Sequence, residues 1–201
     1  MSETIDQVLF ADVLKLDPRE VGQRTGCAWD KESQSFVLET WGGRTRVCPG
    51  NETVTALEPG HMPSGEYLSL LLVHYLIHSQ PDRPTESWVS EKDIPGGAAF
   101  FRGPHAFPVE RITRRFDNDL AAFESACREL GGRPLELADK AFAFEVLPRV
   151  PVAVLYWLGD EDFPCEAKLL FDRSIDRHLP LDIIYALAVL VCRVVGGVST
   201  P

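Results

Sequence analysis

The chain has 201 residues, 45% of them apolar and 25% charged. That balance describes one ordinary globular domain, large enough to bury a core without disulfides or metal, and it excludes wholesale disorder. A net charge of −10 argues against nucleic-acid binding, because phosphate contacts need clustered Lys and Arg, and the single compact basic stretch is residues 111–115.

The elements are predicted in chain order as follows. Residues 4–16 form a helix, with Ile5, Val8, Leu9 and Leu16 on a stripe broken at Asp12. Asp17 caps a second short helix that starts at Pro18 and stops at Gly26. Residues 27–57 read as a β-meander, with a hairpin across Gly42-Gly43. Residues 1–60 thus make up a small N-terminal lobe, if the single domain is subdivided at all. Ser64 is placed to cap a helix running to Ser79, whose buried face carries Leu68, Leu71, Leu72, Tyr75 and Leu76. Residues 85–116 show no regular period and read as a long loop holding Trp88, Phe100, Phe101 and Phe107. A helix opens at Asp117-Asn118-Asp119 and ends at Gly131-Gly132. Residues 142–147, 152–158 and 167–171 are strands, the last two antiparallel. Pro180 starts a final helix, apolar on nearly every side, that belongs against the sheet or in a homodimer interface. The fold class expected is α+β: a mostly antiparallel sheet with packed helices, not a strictly alternating parallel sheet.

The first ten residues lack a basic region followed by an apolar stretch, so no signal peptide is expected. The longest apolar run, residues 183–192, is far short of the roughly 18 residues a membrane span needs. A cytoplasmic, non-membrane protein is the expectation. Cys27, Cys48, Cys127, Cys165 and Cys192 form no CxxC pair, which speaks against a zinc or iron–sulfur site within the chain. Reduced, mostly buried thiols are expected.

No P-loop, GxGxxG or GxSxG motif is present, so no catalytic residue can be named. Four features bear chemistry. Asp160, Glu161 and Asp162 sit in the turn between two strands; with Asp172 they suit a hard cation, and alone they are a solvated turn, with Arg149 or Arg173 placed to pair with one acid. Arg102 and His105 lie among Phe101 and Phe107 in a Gly-containing loop, a setting for an anion or planar ligand, or for a loop that completes the core. Trp157 lines a ligand pocket or serves packing. His74 and His78 stand one helical turn apart, the spacing of helical metal sites, yet Tyr75 follows His74 where HExxH needs Glu and no third ligand is evident. Cys165 is disfavoured as a nucleophile by the carboxylates beside it.

Leu147-Pro148-Arg149, Pro151, Trp157, Gly159-Asp160-Glu161, Phe163-Pro164, Leu170-Phe171-Asp172 and Leu179-Pro180 resemble a prokaryotic family known as domain of unknown function 3786. His74-Tyr75-Leu76, Trp88-Val89-Ser90, Pro95-Gly96-Gly97 and Leu130-Gly131-Gly132 extend the resemblance over almost the whole chain. It implies a setting in anaerobic metabolism, since some members are joined to an iron–sulfur domain similar to that of corrinoid iron–sulfur proteins. The clustered cysteines of that domain are not found here. The expectation is therefore a non-catalytic binding or accessory module whose partner is an iron–sulfur or corrinoid protein. The alternative is a metal-assisted enzyme using the acidic turn and a nearby His.

Overall fold

A computed structural model describes residues 3–197 of the chain. The N-terminal part begins with helices α1 (Glu3–Val13) and α2 (Pro18–Thr25). Asp17 caps α2 through its carboxylate, which accepts from Arg19 N, and Gly26 ends the helix at φ 78°, as an αL C-cap glycine does. An antiparallel meander follows: β1 (Ala28–Asp30), β2 (Ser35–Thr40), β3 (Gly43–Cys48) and β4 (Thr53–Glu58). The β2–β3 hairpin turns one residue earlier than expected, on Trp41-Gly42, with both residues at positive φ (21° and 77°). A two-residue hairpin loop of this hand needs that conformation at both positions. Gly43 instead lies inside β3, where a Cβ would stand 2.6 Å from Gly60 N, so two backbones meet there and only glycine fits.

The second part holds α3 (Glu66–His78), a two-residue strand β5 (Trp88–Val89), and the short helices α4 (Gly97–Phe100) and α5 (Glu110–Phe116). Next come α6 (Leu120–Glu129), β6 (Arg133–Leu135), β7 (Lys140–Leu147), β8 (Val150–Trp157), β9 (Glu166–Asp172) and α7 (Leu181–Val195). The five strands form one antiparallel sheet in the order β5-β9-β8-β7-β6. The architecture is α+β, with two antiparallel sheets. Two corrections follow. Residues 85–116 are not wholly irregular; α5 escapes a periodicity search because only Ile112 and Phe116 of its seven residues are buried. α3 takes Gly65, at φ 134°, as its N-terminal flanking residue and makes no side-chain cap there, so Ser64 does not serve.

The five-stranded sheet has two unlike faces. Phe142, Phe144, Val152, Val154, Tyr156, Leu169 and Phe171 point inward, buried under the helices. The same apolar cluster continues through Phe36, Leu38, Trp41 and Val47 of the meander, so both sheets share one core. Trp41 joins them: its indole N–H donates to Leu130 O at 2.9 Å, and its ring lies 4.8 Å from that of Phe144. α7, buried along most of its length, packs against α3 within this core. On the outer face Trp88, Leu135, Trp157 and Leu170 pack around the small floor of Ala141, Ala153 and Leu155.

The acidic end of the sheet as candidate functional site

The turn joining β8 to β9, residues 159–165, is built by local hydrogen bonds. The Asp160 carboxylate accepts from Asp162 N at 2.9 Å and Phe163 N at 2.8 Å, and Asp160 N donates back to Phe163 O at 2.8 Å. These backbone donors hold the Asp160 carboxyl below the usual carboxylate range, because hydrogen bonds to the charged form favour it. Neighbouring segments pin the turn from outside. Leu158 N donates to Asp139 Oδ2 and Gly159 N to Asn118 Oδ1, at 2.9 and 2.8 Å. The Tyr156 hydroxyl donates to Asp117 O. At Gly159 a Cβ would stand 2.6 Å from Cys165 N and 2.8 Å from Phe163 O, so the turn closes on itself through a glycine.

This end of the sheet presents an unusual surface. Phe163 at the tip is 72% exposed, Leu158 42% and Leu137, in the β6–β7 turn, 37%. Asp139, Asp160, Glu161 and Asp162 lie in the same two turns and Asp117 in the segment that meets Tyr156, all exposed, and none is in an ion pair among the described residues. A hydrogen-bonded turn therefore holds a large aromatic ring in water at the end of the sheet that also carries two exposed leucines and these acids. The cost of leaving apolar area exposed is recovered when a partner covers it.

Asp172 does not join the acidic turn. It lies at the far end of β9, about 20 Å away at ~3.3 Å per strand residue. Its side chain is inside the fold, with the residue 1% exposed. Its carboxylate accepts from Thr85 N and Oγ1 and from Ser174 N and Oγ, at 2.7 to 3.2 Å. Burial alone would raise its pKa, but the Ser174 and Thr85 hydrogen bonds outweigh that and hold it below the ordinary value. Arg149 and Arg173 do not pair with the turn either. Arg149 sits in the β7–β8 turn, at the sheet's opposite end, and donates to the carbonyls of Pro81, Asp82 and Gln23. The Arg173 backbone N–H donates to Ser87 O.

Arg149 belongs to a polar knot that sequence reasoning missed. Arg24 donates to Ser79 O and Leu76 O, satisfying the last carbonyls of α3. The Tyr75 hydroxyl donates to Thr25 O at 2.8 Å. His178, fully buried, shares a 2.9 Å hydrogen bond between its Nδ1 and Ser79 Oγ, while its Nε2 has no partner. Burial depresses the His178 pKa, with Arg149 adding to the effect and Asp82 and Asp172 opposing it. The missed signal is a set of polar residues flanking helix ends; nothing in their spacing says that α2, α3 and the segment before α7 meet.

The remaining candidates do not converge on the turn. His105 is exposed, stacked on Phe100 at 4.6 Å and edge-on to Tyr185 at 5.4 Å. Arg102 is exposed nearby. Phe101 and Phe107 turn inward, and Phe107 meets Phe171 at 5.7 Å, so this part of the loop completes the core. Trp157 shields the outer face of the sheet. The rings of His74 and His78 stack at 5.3 Å. Burial lowers both pKa values; His78 adds to the shift of His74, and Asp182 pulls against it at both. Among the described residues no group of three or more His, Cys, Asp or Glu is placed to hold a metal ion. All five cysteines are free thiols; Cys127 and Cys192 are buried, which pushes each pKa to about 12. No helix among the described residues is long and apolar enough to cross a membrane.

A family model described as a domain of unknown function (DUF3786) matches residues 17–194. It takes in α2 through most of α7, including the acidic turn and the polar knot. No curated protein and no solved structure matches the chain.

Proposed function

The chain belongs to the DUF3786 family, a domain of unknown function, and from that premise we propose that it is a non-catalytic binding module that docks a partner protein at the acidic end of its five-stranded sheet. The observation that carries this reading is Phe163, 72% exposed on a turn held by the hydrogen bonds of Asp160 to Asp162 and Phe163. Rigid presentation lowers the entropy a partner must remove, and a buried aromatic anchor commonly dominates an interface. The surrounding carboxylates favour a partner whose apolar pocket lies within a basic surface, and they speed encounter with it at low salt.

The resemblance to chains joined to iron–sulfur domains directs the choice of partner to an iron–sulfur or corrinoid protein of anaerobic metabolism. The test is a calorimetric titration of the purified chain with a corrinoid iron–sulfur protein of the same organism. Binding that weakens at least about tenfold in Phe163→Ser, and weakens with added salt, supports the reading. Absence of binding at micromolar concentrations rejects this partner. Binding that is indifferent to Phe163→Ser rejects the site.

A further inference from the structure

His74 and His78 lie four residues apart near the C-terminal end of α3, the first half-buried and the second exposed. Residues at that spacing are neighbours on a helix surface, and the two rings face each other with centroids 5.3 Å apart and planes 14° from parallel. The His74 Nδ1 is buried and has no hydrogen-bond partner among the described residues. Buried polar atoms are as a rule satisfied, so one left without a partner calls for a ligand or another functional reason. The Asp182 carboxylate, in the first turn of α7, acts electrostatically on both rings. His78 also borders a cavity of about 480 Å³ with Gln80, Asp176 and Pro180, so the pair opens to solvent on that side.

From this arrangement we infer that His74 and His78 together hold a divalent transition-metal ion of the kind imidazole prefers, Ni²⁺, Cu²⁺ or Zn²⁺. Two histidines at i, i+4 on one helix face present their nitrogens to a single ion in helical zinc sites. Among the described residues no third His, Cys, Asp or Glu is placed to complete the set. The remaining positions therefore go to water or to a small ligand entering from the cavity, which makes the site an open one. Asp182 offsets part of the ion's charge without coordinating it. Burial, joined by the Arg24 charge at His78, keeps both rings below the ordinary histidine pKa. Both are then neutral at pH 7, and each offers a lone pair with little competition from protons. The nearby cations are engaged elsewhere: Arg24 donates to Ser79 O and Leu76 O, and Arg177 pairs with Asp82.

The probe is Ni²⁺, titrated as the chloride to millimolar concentration against the tag-free, isotope-labelled chain at neutral pH. Its paramagnetism broadens nuclear resonances close to the bound ion. Broadening is expected first at the ring signals of His74 and His78 and at the amides around them and Asp182, and diamagnetic Zn²⁺ is expected to reverse it by displacement. His78 is exposed, so His78→Ala keeps the fold. That variant is expected to bind Ni²⁺ at least about tenfold more weakly, since loss of even an outer-shell partner costs about 10–100-fold. Broadening that begins equally at the single histidines His61 or His105 overturns the inference, as does an affinity unchanged in His78→Ala. So does the absence of broadening at millimolar Ni²⁺, which needs no variant protein. None of these outcomes depends on docking at Phe163.

Discussion

Replacing Asp172 by alanine is expected to destabilise the fold severely without touching the acidic turn. Its carboxylate is the common acceptor for four donors, the backbone N–H and hydroxyl of both Thr85 and Ser174, and it ties the segment before β5 to the end of β9. A hydrogen bond to a charged group contributes about 1.5–3 kcal/mol, and buried donors left without a partner add a desolvation cost. These contributions are not additive. Loss of the whole set is expected to cost about 3–5 kcal/mol, by analogy with breaking a buried ion pair. Against a domain stability of about 5–15 kcal/mol, that is a large share. The assay is urea unfolding followed by far-ultraviolet circular dichroism, with the midpoint of Asp172→Ala lowered by roughly 1–2 M. Asp172→Asn keeps one acceptor oxygen and is expected to fall between the two. The effect also carries a pH signature. The folded pKa of Asp172 lies below its ordinary value. Its stabilisation is therefore complete above about pH 4, the unfolded carboxylate value, and disappears as pH falls through the folded pKa. Wild type and Asp172→Asn should thus converge below pH 4. A loss under about 1 kcal/mol for Asp172→Ala, the size of a single ordinary hydrogen bond, would refute the tether and reopen a ligand role for this acid.

Three further outcomes are expected. Arg149→Ala leaves the carbonyls of Pro81, Asp82 and Gln23 without their guanidinium donor, and should lower stability by about 2–4 kcal/mol in the same urea assay; Arg149→Lys should recover only part, because one ammonium cannot reproduce the guanidinium fork. His178 is held neutral by burial, with its pKa below 6.5, so the unfolded chain takes the proton first and the native state loses stability as pH falls below about 6.5. His178→Gln should flatten the decline in melting temperature between pH 7.5 and 5.5, although His74 and His78, shifted in the same direction, keep it from vanishing. Gly159→Ala places a methyl group against Cys165 N and Phe163 O and should cost about 1–3 kcal/mol, as overpacking does, with amide shifts confined to residues 158–165.

Much of the fold follows from periodicity and punctuation. Asp17-Pro18 and Gly26 delimit α2, alternation marks β7 and β-prone residues mark β8 and β9, and the apolar circumference of α7 signals a buried helix. What local pattern misses is decided by tertiary contacts. β5 is a strand only because β9 offers it an edge, and α5 is a helix with two buried residues, so neither leaves a period to detect. The candidate site divides the same way. The turn at residues 159–165 stands out by its acids, but the exposure of Phe163 and the placing of Leu137 at the same end follow from the strand order of the sheet. Asp172, Arg149 and Trp157 carry the same residue types that sites use, and their three-dimensional neighbours give them structural work. His178 leaves no sequence signal, because its hydrogen bond joins residues 99 apart in the chain.

The most direct test of the binding role is the hydrogen-exchange footprint of the complex with the corrinoid iron–sulfur protein. Protection is expected in the β6–β7 turn around Leu137 and in residues 158–165, with Phe163→Ser erasing it while the melting temperature stays unchanged. A footprint elsewhere on the chain, or protection that survives Phe163→Ser, would contradict the account.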